Sequence, residues 1–186
     1  VGCVLRAFAL IQRKHPEARL TVAGDGSQRA ELEALARELK LEHVEFVGRV
    51  PPGRMPGLYD AADIYLNAPN IDNMPGSVIE AFAAGTPVVT TDAGGIPYIV
   101  ADGVTGFVVP RGDADALAGR ACRLLEDDRV AQTIIENARR ECLKYSWEAV
   151  RDGWLGLYRE LARGAGETNG AARGAHERAG VRTTKS

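Results

Sequence analysis

The sequence predicts a doubly wound α/β domain: a parallel sheet with helices on both faces. Three observations predict it. Five short apolar runs, mostly β-branched or aromatic, are separated by helical patterns. The alternation strand, helix, strand is that of parallel strands joined by crossover helices. Loops rich in Gly, Pro, Asp and Asn follow four of the runs, on the edge where such sheets bind ligands. Five strands fall short of the eight units of a (β/α)8 barrel. With 186 residues, 45% apolar and 26% charged, the chain can build one ordinary core.

The elements follow in order. "VGCVLRAFALIQRKHPEA" begins at once in a helical pattern, with Val4, Leu5, Phe8, Ala9 and Ile11 on one face. A chain that starts inside a helix is expected to be cut from a longer one. "ARLTVAG" (18–24) reads as the first strand. "SQRAELEALARELKL" places Leu32, Leu35, Ala36 and Leu39 on one helical face, with Ser27 as cap. "VEFVG" (44–48), "ADIYLNA" (62–68), "PVVTT" (87–91) and "GFVVP" (106–110) are the remaining strands. "GRMPGLYDAA" and "GSVIEAFAAG" are short helices, the second ended by Gly85. "DADALAGRACRLLED" and "DRVAQTIIENARRECLKY" are longer ones, and "SWEAVRDGWLGLYRELAR" closes the folded part, capped by Ser146. The domain is expected over 1–163. Residues 164–186, poor in large apolar side chains, are expected to be a disordered tail.

Composition excludes several classes. Net charge is −2, which gives no broad attraction for nucleic acid. No apolar run approaches the roughly 20 residues of a membrane helix, and no signal peptide pattern opens the chain. Cys3, Cys122 and Cys142 are far apart and pair with no His at ligand spacing, so they read as reduced packing cysteines of a cytoplasmic protein. His15 and His43 read as surface residues. "GDGSQRA" carries two glycines of a dinucleotide fingerprint but has Arg29 at the third, which disfavours an oxidoreductase. "DAD" at 113–115 reads as a helix cap rather than a metal pair.

The chemistry is expected in the edge loops. Gly24 and Gly26 follow the first strand, "GRVPPGR" the second, "PNIDNMPGS" the third, and "TDAGGIPY" with Gly94 and Gly95 the fourth. The third loop leads into a helix starting Pro75, Gly76, Ser77. Its unpaired amides and positive dipole end suit a phosphate. Glu80, one turn further, is the only charge from Val78 to Ala84. A carboxylate in so apolar a run is expected to be buried and to need partners. Ribose hydroxyls, or else a distant Arg or a backbone amide, would serve equally.

"DNMPGSVIEAFAAGTPVVTTDAGG" resembles the acidic-x7-Glu phrase of the retaining glycosyltransferases of family 4, or group 1, which have two Rossmann-like domains (the GT-B fold). The flanking "VAGDGSQRAELEALARELKLEHVEFVGRV" and "DGVTGFVVPRGDADALAGRACRLLEDD" resemble the same family's segments, so the likeness spans about residues 1–163. It implies transfer of a sugar from a nucleoside-diphosphate donor to an acceptor hydroxyl with retention, as in polysaccharide biosynthesis, with no cofactor or metal. It implies that Asp72 and Glu80 are the catalytic acidic pair. Glu80 would take the ribose hydroxyls, and the amides of Gly76, Ser77 and Val78 the diphosphate. Asp72, with Asn73 and Met74, would face the donor sugar. Gly48, Arg49 and Val50 would flank the base, Gly24 and Gly26 line the cleft, and Gly94 and Gly95 form its floor. Two residues depart from the family: Asp72 stands where most members have Glu, and Tyr98 where "GGIPE" supplies Glu.

The resemblance also implies a preceding strand ending in Gly-Arg, a Lys-bearing loop and an acceptor-binding N-terminal domain; Arg6, Arg13 and Lys14 are not those basic groups. The family's strand order, 3-2-1-4-5-6, makes the preceding strand central. Its absence would leave ladder groups unpaired at roughly 1–3 kcal/mol each. The chain alone is therefore expected to transfer no sugar. The acceptor, a sugar or lipid-linked glycan, would belong to the other domain, as would any peripheral contact of the full-length enzyme with a membrane. Two other readings stay open: a nucleotide-sugar epimerase of similar fold, and a non-catalytic nucleotide- or partner-binding module.

Overall fold

The helical face of residues 2–14 forms as its spacing requires. In the computed structural model, α1 (Gly2–Lys14) buries Val4, Leu5, Ala7, Phe8 and Ile11, with Ala9 half-buried beside them. Residues 1–177 are described, their side chains through residue 163. They divide into two compact units, residues 1–143 and the described residues from 144 onward.

In the first unit β1 (Leu20–Ala23) leads to α2 (Arg29–Glu38) and β2 (Val44–Gly48). α3 (Met55–Asp60) and β3 (Tyr65–Leu66) follow, then α4 (Gly76–Ala84), β4 (Val88–Thr91) and β5 (Phe107–Val109). α5 (Ala114–Glu126) and α6 (Asp128–Cys142) complete it. All five expected strands form; β2 fills its run of 44–48 and the other four are shorter than their apolar runs. The helix ends obey local chemistry. Asp113 caps α5 by accepting from the Ala116 amide at 2.8 Å. Asp127 caps α6 by accepting from the Arg129 and Val130 amides at 3.1 Å. Ser27 does not cap α2, which starts two residues later after Gln28 with no side-chain cap. α4 ends on Gly85 with φ 81°, and the Arg139 guanidinium donates to the Ala84 carbonyl there at 3.1 Å. A Cβ at Gly85 would strike that guanidinium.

Every strand pair is parallel, but the ladder is interrupted. β1 pairs with β2, and β3–β4–β5 form a separate sheet. With the strand order 3-2-1-4-5-6 that the resemblance implies, the break falls between β1 and β3, where that order puts a further strand. Leu20 of β1 and Leu66 of β3 both pack on one core cluster, to which α1 contributes Val4, Phe8 and Ile11 beside Val89, Phe107 and Leu117. β4 contacts α4 and α5, and its four residues are buried on both faces. β1 is covered on one face only, with Thr21 and Ala23 exposed. The Thr90 hydroxyl is buried without a hydrogen-bond partner among the described residues.

The second unit holds α7 (Trp147–Glu177), whose start is capped by Ser146: its Oγ accepts from the Ala149 amide at 3.3 Å. Trp147, Trp154, Leu157, Tyr158 and Leu161 are exposed along it, and the Trp154 and Tyr158 rings stack at 6.1 Å. The backbone is helical to Glu177, so part of the segment expected to be disordered lies in this helix, and residues 178–186 lie outside the described residues. Among the described residues no helix is long and apolar enough to cross a membrane.

Candidate functional site

The carboxyl ends of β3 and β4 converge on the start of α4. Pro75 precedes this helix in an extended conformation, and no side chain caps it. The first turn carries no acidic residue, and the Val78 amide turns back to the Pro75 carbonyl at 3.0 Å. A Cβ on Gly76 would meet nothing within 4 Å, so the helix end opens outward. Exposed amides at a helix N-terminus with no competing carboxylate form an anion site in the making.

Glu80 is exposed, not buried as its apolar neighbours suggested. The helical period explains the correction. Val78, Ala81 and Phe82 make the buried stripe, and residue 80 points off it. Its carboxylate is nevertheless held. The Tyr59 hydroxyl lies 3.1 Å from Glu80 Oε2 and 3.2 Å from the Ser77 carbonyl, and donates toward both. Tyr59 is itself buried, locked by an edge-to-face contact with Tyr65 at 5.6 Å and by Thr86, whose hydroxyl donates to the Tyr59 carbonyl at 2.9 Å. Burial, first, then Tyr65 and Glu80, push the Tyr59 hydroxyl far above its ordinary range, so it stays a donor. Tyr65 is also raised, by burial first. A bond from Ser77 opposes the shift, and the charges of Glu80 and Asp72 add to it. One tyrosine pair thus senses both members of the acidic pair.

Asp72 is half-buried in the loop before α4, with Asn73 and Met74 exposed beside it. The loop is fixed from below. Gly95 donates its amide to the Asp72 carbonyl at 3.0 Å. A Cβ at Gly94 would collide with that carbonyl, and one at Gly95 with the carbonyl of Asn73. The glycine pair therefore lets the backbone of the 72–73 loop come close, and seats Asp72. Thr91 ties the start of the loop by donating to the Pro69 carbonyl at 2.6 Å.

The remaining expected residues sit on the other sheet. Gly24 donates to the Gly48 carbonyl at 2.8 Å, joining the two loop starts. Gly24 and Gly26 are exposed with open space beside them, Gly48 is buried, Arg49 exposed and Val50 half-buried. Among the described residues no hydrogen bond joins these loops to the 72–80 segment. Sequence reading missed three partners. Tyr59 and Tyr65 reach Glu80 and Ser77 only through α3–α4 and β3–β4 packing, which no local pattern announces. Arg29 donates to Glu33 at 2.8 Å and to the Phe46 carbonyl at 3.0 Å, placing a cation against Gly48. One trio of His, Cys and acid ligand atoms occurs among the described residues, His15, Cys122 and Glu126, away from these loops.

The family model described as glycosyl transferases group 1 matches residues 2–141. D-inositol 3-phosphate glycosyltransferase of Corynebacterium jeikeium is 35% identical over 167 residues, 85% of this chain and 40% of that protein. Phosphatidyl-myo-inositol mannosyltransferase of Mycolicibacterium smegmatis is 30% identical over 177 residues, 92% of this chain and 45% of the relative. The chain thus spans less than half the length of these relatives. Among solved structures, sucrose-phosphate synthase of Thermosynechococcus elongatus superposes with TM-score 0.77 at 30% identity, covering 87% of this chain and 43% of that one. Anabaena HepE in complex with UDP-glucose gives 0.75 at 26% identity, covering 87% and 44%.

Proposed function

This chain belongs to the group 1 glycosyltransferases, and we propose that it is the donor-binding half of a retaining member of that family. Its substrate is a nucleoside-diphosphate sugar, and the bond transferred is the anomeric one, to an acceptor hydroxyl. The observation that carries this reading is the uncapped start of α4, with Glu80 held one turn behind it by Tyr59 and the Asp72 loop seated beside it. Each part has a role. The Gly76 and Ser77 amides receive the diphosphate and stabilise it as it leaves, at the positive helix end, while the Val78 amide, donating to the Pro75 carbonyl, closes the turn that presents them. Glu80, exposed yet oriented, offers its second oxygen to the ribose hydroxyls. Asp72 faces the donor sugar, one methylene further back than the family's usual Glu, and the Gly94–Gly95 floor sets how far forward it stands. Gly24, Gly26 and the 48–50 loop flank the base. A UDP-glucose complex among the structural relatives supports a nucleotide sugar as ligand. We assign the acceptor to no residue of this chain and propose that the chain alone does not turn over.

Calorimetric titration of the 186-residue chain with UDP, GDP and ADP tests the reading. Selective binding of one of them, weakened at least about tenfold in Glu80→Gln, is the expected result. Equal, weak binding of all three, unchanged in Glu80→Gln, overturns it. So does sugar transfer by the chain at about 1 per second or more, as far as inactivity alone is concerned.

A further inference from the structure

The helices α1 and α5 pack against each other, and each ends at the amino edge of the sheets, opposite the loops described above. α1 runs directly into β1, and α5 starts where β5 finishes. Two C-terminal helix ends therefore meet there, each with a partial negative charge. Side chains of three chemistries converge between them. His15 is the residue that closes α1, and its Nε2 lies 3.2 Å from Glu126 Oε1. Cys122 and Glu126 stand four apart on α5, so they share one helical face. One ligand atom from each of the three, nitrogen, sulfur and oxygen, lies within 4.8 Å of the others. Cys122 is 4% exposed, while His15 and Glu126 reach solvent, which leaves an approach path above a shielded sulfur.

We propose that His15, Cys122 and Glu126 form a binding site for a thiophilic divalent cation, of which zinc is the type, that clamps α1 to α5. Thiolate, imidazole and one carboxylate are the zinc donor set, and they suit neither magnesium nor calcium, which take oxygen donors. At zinc bond lengths, tetrahedral ligand atoms stand about 3.3–3.6 Å apart. The His15–Glu126 pair is already there, and the sulfur must come in by at most about an ångström, within the reach of a change in side-chain rotamer. Binding replaces the thiol proton of Cys122, which is released to solvent. Lys14, whose charge is felt at Cys122, is the opposing cation, and its long side chain can swing outward. A fourth position stays open to water. The clamp bears on α1, which supplies Val4, Phe8 and Ile11 to the core cluster, so its effect is on the stability of the unit and leaves donor chemistry untouched.

The test is titration of the reduced, metal-stripped 186-residue chain with Co2+, followed by Zn2+ competition against a chromophoric chelator. The expected result is one ion per chain, a sulfur-to-cobalt charge-transfer band, a Kd on the order of 1 μM or tighter, and a higher Tm with Zn2+. His15→Gln and Glu126→Gln, both at solvent-reached positions that leave the buried thiol in place, should each weaken binding by at least about tenfold. Cys122→Ser should remove the band. No binding below about 100 μM overturns the site, as does a band that survives unchanged in both His15→Gln and Glu126→Gln, which would trace it to Cys3 or Cys142.

Discussion

Replacing Tyr59 by Phe deletes one oxygen and leaves the ring. The edge contact to Tyr65 and the Thr86 bond to the Tyr59 carbonyl remain, so folding should change by less than about 1 kcal/mol. What is lost is the hydroxyl shared between Glu80 Oε2 at 3.1 Å and the Ser77 carbonyl at 3.2 Å. A bond to a charged group contributes about 1.5–3 kcal/mol, but Glu80 is exposed and water can replace the donor, so we take about 1 kcal/mol. That is about fivefold in affinity, and it arises because Glu80 must then be ordered by the ligand. Nucleotide titration of wild type, Tyr59→Phe, Glu80→Gln and the double variant measures it. The expected outcome is a fivefold loss for Tyr59→Phe in the wild type and under about twofold in the Glu80→Gln background. An equal loss in both backgrounds, or none in the first, refutes the claim that Tyr59 acts through Glu80.

Two further outcomes follow from the same geometry. Gly95→Ala drives a methyl into the Asn73 carbonyl, so it should destabilise by about 1–3 kcal/mol and weaken nucleotide binding, read as a lower Tm and a higher Kd. Alkaline stability should fall through Tyr59. Its folded-state pKa is raised above the ordinary 10.0, so its contribution is whole below pH 10.0 and is lost as pH rises above it, when the unfolded chain ionises and the folded one does not. Thermal melts should show wild type losing more Tm than Tyr59→Phe between about pH 9 and 11; identical losses would contradict the burial of this hydroxyl.

The strands were legible because β-branched runs bounded by Gly and Pro admit few other structures, and the caps at Asp113 and Ser146 because a short oxygen before a helix favours that use, although the same pattern fails at Ser27, where the helix starts two residues later. Burial of Glu80 was misread because a uniformly apolar window hides which face of the helix turns inward; only the packing of Val78, Ala81 and Phe82 decides it. The role of Gly94 and Gly95 was half legible. Close approach was expected, but that the approaching groups are the carbonyls of Asp72 and Asn73 depends on contacts across twenty residues. Tyr59 and the His15–Cys122–Glu126 trio are wholly tertiary, the latter joining residues more than a hundred apart. Local spacing shows only that Cys122 and Glu126 share a helical face; it carries no trace of His15 or of the Tyr59 contact.

The interruption between β1 and β3 has a colloidal consequence. Among the described residues each of these strands has one edge with no strand paired to it, along which main-chain donors and acceptors are presented. β3, only two residues long, offers little to a passing chain. β1, Leu-Thr-Val-Ala, is longer and uncharged, with Arg19 at its head as the nearest guard. An extended segment from another molecule would find in β1 a ready template, parallel or antiparallel. For these 186 residues taken alone at high concentration, edge-to-edge pairing is therefore the failure to watch for, and a charge introduced at exposed Thr21 is the substitution placed to oppose it.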